Sequence, residues 1–354
     1  MQQLNFPIID AHIHQWDPYT TPHAAALAVK LFGKHPKLLD KMIRLMKPKA
    51  VIDTIGLTQH LTSPYLPQNY KKDIGRYAVE HVIHVEASWH EHKGTGVVNE
   101  TRFIEQLPFH EADLNLAAIV ATADPRHKNF KDLLKMHADA SDKFLGIRKM
   151  AAVHHDKGVY AWADEAHLYR NPKFLKGFEA LAKQNLSFDA WVYSTQIQDV
   201  YALAQHFPET NIVLDHFATP VGLFGAVGKH TGQTEQDRLI IFSDWKENLA
   251  KLAECPNVYT KMSGLFMPVL GHRFHQSKQV AHKDEIVSLS APLIQHALDC
   301  FGTQRVMFAS NFPMDSVSTN LENIIDAFSD IIQQIDPSAL KAIFHDNAQT
   351  FYRL

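Results

Sequence analysis

A chain of 354 residues with 45% apolar content can bury a large core, and its formal charge of -3 provides no broad basic field for nucleic acid. No segment approaches the roughly 18 uninterrupted apolar residues of a membrane-spanning helix. Residues 1–5 lack a basic region and residues 6–9 are too short for a signal core, so a cytoplasmic protein without a membrane partner is expected. Cys255 and Cys300 lack metal-site spacing and read as two free thiols.

In chain order, short apolar or β-branched runs fall at residues 7–14, 81–87, 116–124, 144–150, 187–193, 211–217, 258–264 and 305–312. Amphipathic helical patterns lie between them, at 99–107, 131–140, 171–184, 195–206, 236–253 and 288–301. Alternating strands and helices indicate parallel βαβ units, and eight such units close a (β/α)8 TIM barrel. No Gly-x-Gly-x-x-Gly turn follows the first strand, which argues against a doubly wound dinucleotide fold. No repeat or flexible linker divides the chain, so residues 1–354 read as one barrel domain. Long insertions follow strands 1 and 6. The first carries a basic amphipathic stretch at 37–49, whose Leu38, Leu39, Met42, Ile43, Leu45 and Met46 predict a helix packed by one face on the barrel rim. The second contains the glycine-rich segment 222–232. Long connections of this kind in a compact enzyme commonly serve as lids or binding elements.

The 23 histidines outnumber the 10 tyrosines and 5 tryptophans, which favours a metal or proton-transfer site. His23, His35, His60, His127 and His137 lie in polar surroundings and read as surface residues. Asp10, His12 and His14 differ: spaced by two on the first strand, they share one face, directed into the barrel near its C-terminal mouth. Two imidazoles so placed can grip a divalent cation, with Asp10 orienting them. In Leu214-Asp215-His216-Phe217, strand alternation selects His216 for the interior and turns Asp215 toward neighbouring backbone. Glu86 closes the second strand, where it can ligate metal or accept a proton. Arg148 offers a planar fork to a carboxylate, on the substrate or on a neighbour such as Glu86. His154 and Trp191 are read as pocket lining, and Lys261 as an ammonium for a substrate oxygen. Asn311 ends the eighth strand in a catalytic position, although an amide cannot accept a proton; Asp315 follows four residues on.

Taken together, Asp10-Ala11-His12-Ile13-His14, His84-Val85-Glu86-Ala87, Gly146-Ile147-Arg148, Leu214-Asp215-His216, Lys261-Met262-Ser263-Gly264 and Ser310-Asn311-Phe312-Pro313 stand in order at successive strand ends. In this the chain resembles the amidohydrolase superfamily, in the branch of TIM-barrel metal-dependent hydrolases that includes L-fuconolactone and 2-pyrone-4,6-dicarboxylate lactonases. The resemblance implies hydrolysis of a small, often acidic, cyclic ester at the C-terminal mouth. It carries over His12, His14 and His216 as metal-site or active-site histidines; read with the strand-end position of Glu86, these four are the expected holders of a divalent cation such as zinc. It departs at strand 8, where Asn311 stands in place of the usual water-activating Asp. The expected base is then Glu86 or His216, and without metal His216 and Arg148 would polarise the carbonyl. The rival readings are a decarboxylase of a small unsaturated or aromatic acid, and a catalytically silent ligand-binding barrel. The partner expected is a small-molecule substrate, and a homo-oligomer is compatible with the sequence.

Overall fold

A computed structural model describes residues 4–23, 25–91 and 95–354, so the first three residues of the N-terminal stretch lie outside it. Eight strands form one parallel sheet in the order β1 to β8: β1 (Ile8–Ile13), β2 (Val79–Val85), β3 (Asn115–Thr122), β4 (Phe144–Arg148), β5 (Ser187–Ala190), β6 (Ile212–Leu214), β7 (Val258–Met262) and β8 (Val306–Phe308). Each coincides with a predicted run. The barrel closes between β8 and β1 through a parallel bridge of Ile13 with Phe312, with Asn311 N–H donating to the His12 carbonyl at 2.9 Å and His14 N–H to the Phe312 carbonyl at 2.8 Å.

Helices follow in βα alternation. Five occupy the first connection: α1 (Ala26–Phe32), α2 (Pro36–Met46), α3 (Lys49–Ile55), α4 (Gln59–Thr62) and α5 (Pro67–Asp73). The others are α6 (Val98–Glu105), α7 (Phe130–Ala140), α8 (Pro172–Lys183), α9 (Ile197–His206), α10 (Glu235–Ala253), α11 (Lys283–Phe301), α12 (Leu321–Ile335) and α13 (Asn347–Tyr352). Helix starts show the expected chemistry: Asn171 accepts from the Lys173 and Phe174 amides before α8, and Thr234 with Asp237 forms a reciprocal capping box before α10. Among the described residues, no helix is long and apolar enough to cross a membrane. Both cysteines are free.

The barrel interior holds two layers of different chemistry. Toward the N-terminal end, Ile9, Ala11, Ile83, Val120, Val213 and Met307 pack together, and α13 plugs that end with Ala348, Phe351 and Tyr352. Above this apolar layer the inward-facing residues become charged. The first connection behaves differently from its prediction. Leu39 and Ile43 of α2 are buried with Ala25 and Val29 in a small cluster of their own, while Leu38, Leu45 and Met46 face outward. The insertion thus packs largely on itself, and its apolar residues do not form a single face.

Two of the predicted surface histidines are buried. His23 stacks on Trp16 with ring centroids 5.3 Å apart, and His137 bonds Thr101 at 2.7 Å while stacking on Phe144. Burial depresses both to about 4, so they stand neutral as parts of aromatic packing. His35 and His127 are exposed, as read.

Candidate active site

The strand ends build a cluster of charges at the barrel mouth. Asp10 does not orient an imidazole ring. Its Oδ1 accepts from the Ser310 amide at 2.8 Å and the His12 amide at 3.2 Å, and its Oδ2 from the Tyr70 hydroxyl at 2.7 Å. It therefore staples β1 to the end of β8 and fixes the backbone that carries the histidines. His12 and His14 do face one another, their Nε2 atoms 3.3 Å apart. His14 Nδ1 lies 2.8 Å from the Val85 carbonyl, which requires a proton there and leaves the lone pair on Nε2. His12 has Asp215 Oδ1 at 3.3 Å from Nδ1 and the Arg148 guanidinium at 3.2 Å from Nε2. Lys261 Nζ lies 3.2 Å from the same Nδ1.

The alternation rule fails at Asp215. β6 ends at Leu214, and residues His216 to Thr219 all take left-handed backbone, with φ of 57°, 48°, 60° and 39°. This turn brings Asp215 and His216 to the same side, so the expectation that Asp215 faces away is corrected. His216 rests against Gly264, where a Cβ would lie 2.5 Å from the ring, and its Nδ1 meets Ser263 Oγ at 2.7 Å. The glycine of Lys261-Met262-Ser263-Gly264 is thus explained by close approach of backbone to imidazole. His12, Asp215 and His216 form a group whose ligand atoms lie within 4.8 Å of one another.

Asp215 is also the hub of a buried ion network. Lys261 Nζ lies 3.2 Å from its Oδ1, and Arg148 Nη1 3.6 Å from its Oδ2. Burial opposes its charge, but Lys261 and His12 hold the carboxyl well below the usual carboxylate range. Lys261 pairs also with Asp189, whose carboxylate accepts from the Tyr352 hydroxyl at 3.1 Å; burial pushes Asp189 up to about 6. Lys261 is fully buried beneath the pocket, so it is no substrate ligand but a counter-ion within the barrel. Arg148 pairs with Glu86, Nε to Oε1 at 2.9 Å, and bonds the Glu86 carbonyl through Nη2 at 2.8 Å. Of the two partners the sequence left open, the structure pairs Arg148 with the neighbouring carboxylate. Glu86 Oε2 accepts the Ser88 amide at 3.0 Å, and Glu86 stands outside the His12–Asp215–His216 group.

Above this floor lies a cavity of about 250 Å3. His14, Glu86, Arg148, His216 and Asn311 form its base, and Trp191 stands in its wall. His154 does not line it: its Nδ1 accepts the Asp156 amide at 3.1 Å and its ring lies against His155, while Tyr160 and Trp162 of the same connection reach the pocket instead. The first insertion contributes Lys47, Pro48, Val51, Thr54 and Ile55, so it walls the site as well as covering the rim. Asp315 is closer than chain distance suggested. Its Oδ1 accepts from the Asn311 side-chain amide at 2.8 Å, and burial pushes its carboxyl up to about 7. Sequence reading missed Asp189, whose signal was a carboxylate in the otherwise apolar strand Ser187–Ala190. It also missed Tyr352, which no local pattern connects to β5.

A parallel eight-stranded barrel with histidines and carboxylates gathered at its mouth has its polar cluster where (β/α)8 enzymes place their active sites. The sequence matches the amidohydrolase family over residues 9–354, and the chain belongs to that family. It is 29% identical over 347 residues to the uncharacterized protein y4mH of Sinorhizobium fredii, covering 98% of both chains. It is 25% identical over 250 residues to L-fucono-1,5-lactonase of Burkholderia ambifaria, covering 68% of this chain and 71% of the relative. A zinc-bound amidohydrolase structure from Burkholderia multivorans shares the fold with a TM-score of 0.70 at 21% identity, covering 99% of this chain and 100% of that one. The protein is an enzyme, a hydrolase of the amidohydrolase family.

Proposed function

We infer that the enzyme is a lactonase, opening a small cyclic ester by water attack on a polarised carbonyl. The observation that carries this reading is the convergence of His12, Asp215 and His216 beneath a cavity with Glu86 and Arg148 at its base. The similarity to an L-fucono-1,5-lactonase supports it.

The donor set suits one divalent cation such as zinc, the ion named for the Burkholderia multivorans structure. Two imidazoles and a carboxylate are hard-to-borderline ligands of the right kind. Asp215 has both oxygens buried without a hydrogen bond. The ion network counts three carboxylates (Glu86, Asp189, Asp215) against two cations (Arg148, Lys261), leaving one negative charge unbalanced. Burial depresses His14 and His216 to about 3 and holds His12 well below its ordinary value, so the imidazoles stand neutral with lone pairs available. His12, Asp215 and His216 would hold the ion, with His14 beside them. When bound, it supplies Lewis-acid polarisation of the ester and a lowered water pKa.

The chain's own groups divide the remaining work. Arg148, fixed by Glu86, directs guanidinium charge toward the base of the pocket and stabilises the oxyanion that develops on the carbonyl. Glu86 takes the proton of the attacking water, since Asn311 cannot. Asn311 is held by Asp315 through its amide nitrogen, which turns its carbonyl oxygen toward the pocket as an acceptor for water. The test is turnover of a panel of aldonolactones, pyrones and aromatic lactones, with bicarbonate release measured alongside. Ring opening by the wild type and its loss in the His12→Ala/His14→Ala double variant is expected. Undiminished ring opening by that variant, or bicarbonate release without ring opening, would overturn the reading.

A further inference from the structure

The polar groups at the base of the cavity are largely committed to one another. Arg148 is engaged by Glu86 and His12, the Asn311 amide by Asp315, and His216 Nδ1 by Ser263. The walls are mostly apolar, with Trp16, Trp162, Trp191, Met150, Met267 and Ile55 outweighing the polar Thr54, Ser88, His90 and Tyr160. Two of these indoles have their N–H groups bonded elsewhere, Trp16 to the Ser63 carbonyl at 3.1 Å and Trp191 to Thr219 Oγ1 at 2.9 Å. They present ring faces, not donors, to whatever enters. A polyhydroxylated lactone would leave water with several hydroxyls unmatched, at a cost of about 1–3 kcal/mol for each unsatisfied group.

One cation in the lining lacks a partner. Around it, Arg44 pairs with Asp40 and Lys49 with Asp53, whereas Lys47, between α2 and α3, pairs with no carboxylate among the described residues. Beside it stands His23, 8% exposed, whose Nδ1 has no hydrogen-bond partner. Burial first, then His90 and Lys47, depress His23 to about 4, which places the Lys47 charge within electrostatic reach of this neutral ring. Arg148, in contrast, is already matched by a carboxylate of the protein.

We propose that the substrate has an apolar, aromatic or alicyclic body between the tryptophans and carries a carboxylate, away from the ester, that is received by Lys47. The proposal rests on the lactonase reading only for where the ester sits, so binding without turnover tests it separately. Calorimetry would compare 3-phenylpropanoate, the neutral 3-phenylpropan-1-ol and gluconate. The acid should bind about tenfold more tightly than the alcohol, as one charge-assisted contact gives, and gluconate should bind most weakly. Lys47→Met should equalise acid and alcohol, Lys47→Arg should keep the preference, and Trp162→Ala should weaken both aromatic probes. Gluconate binding as tightly as the acid, or a charge preference that survives Lys47→Met, would overturn the proposal. If the binding pattern holds and no lactone is opened, the lactonase reading fails and this specificity stands.

Discussion

The base of the pocket and its walls are built on opposite principles. At the base, each charged group comes from the end of a different strand and has at least two neighbours. Asp215 touches Lys261, Arg148 and His12; Asp189 touches Lys261 and Tyr352. The walls come from connections, above all the first insertion, whose helices bury a few apolar residues among themselves and leave Leu38, Leu45 and Met46 outside. Shared partners make the base hard to alter one residue at a time, while the walls can change without disturbing the barrel. On the proposed reading, reaction chemistry and substrate choice fall to separate parts of the chain.

The sharpest way to break this contrast is to remove the hub. Asp215→Ala removes the carboxylate shared by Lys261 and Arg148, which keep Asp189 and Glu86 as their remaining counter-ions, so a loss of about 1–3 kcal/mol is expected. Turnover should fall by at least about a thousandfold, because the proposed metal site would lose a ligand and the electrostatics of Arg148 depend on this carboxylate. Urea unfolding together with lactone assays would show it. A variant of unchanged stability would mean that the base is a set of independent pairs.

The sequence disclosed the base better than the walls, for physical reasons. Asp10, His12 and His14 alternate on a strand, so one periodicity places all three, and charged residues in apolar strands are costly enough to advertise themselves. Asp215 escaped because its neighbour leaves β geometry: four consecutive left-handed residues end the alternation on which the parity argument stands. Asp315 stands four residues past Asn311, and only the turn after β8, which no periodicity encodes, folds its carboxylate back onto Asn311. His154 and Lys47 illustrate the walls. Which loop residue reaches the pocket depends on packing such as the His154–His155 contact, and no periodicity encodes that.

A smaller effect separates a carboxyl that serves the site by position from those that serve by charge. Burial raises Asp315 to about 7 from an ordinary 3.8. Its protonated form is the one the fold favours, so its contribution is complete below pH 4 and is lost as pH rises through about 7. Across that window the loss is at most about 4 kcal/mol. Asp315→Asn, which keeps an acceptor for Asn311, removes the titration. Relative to wild type the variant should gain stability between pH 4 and 7 and then level off. The buried histidines pull the other way, losing stability as pH falls below 6.5, but they are common to both proteins and cancel in the difference. Urea unfolding at several pH values reads it, and parallel curves would show that Asp315 ionises normally.

The smallest effect tests whether the base extends down to the plug. Tyr352 lies in the last helix, and its hydroxyl is 3.1 Å from both oxygens of Asp189. Tyr352→Phe keeps the ring packed with Phe351 and Ala348 and removes only that bond, at a cost of about 1.5–3 kcal/mol for a hydrogen bond to a charged acceptor. Asp189 retains Lys261, so the carboxylate is not orphaned and the barrel should remain folded. One of the two carboxylates that hold Lys261 would then be less restrained. Because Lys261 also touches Asp215 and His12, a modest fall in kcat with KM unchanged is expected. A loss of stability with no change in kcat would confine Tyr352 to the plug and place the lower boundary of the catalytic network at Lys261.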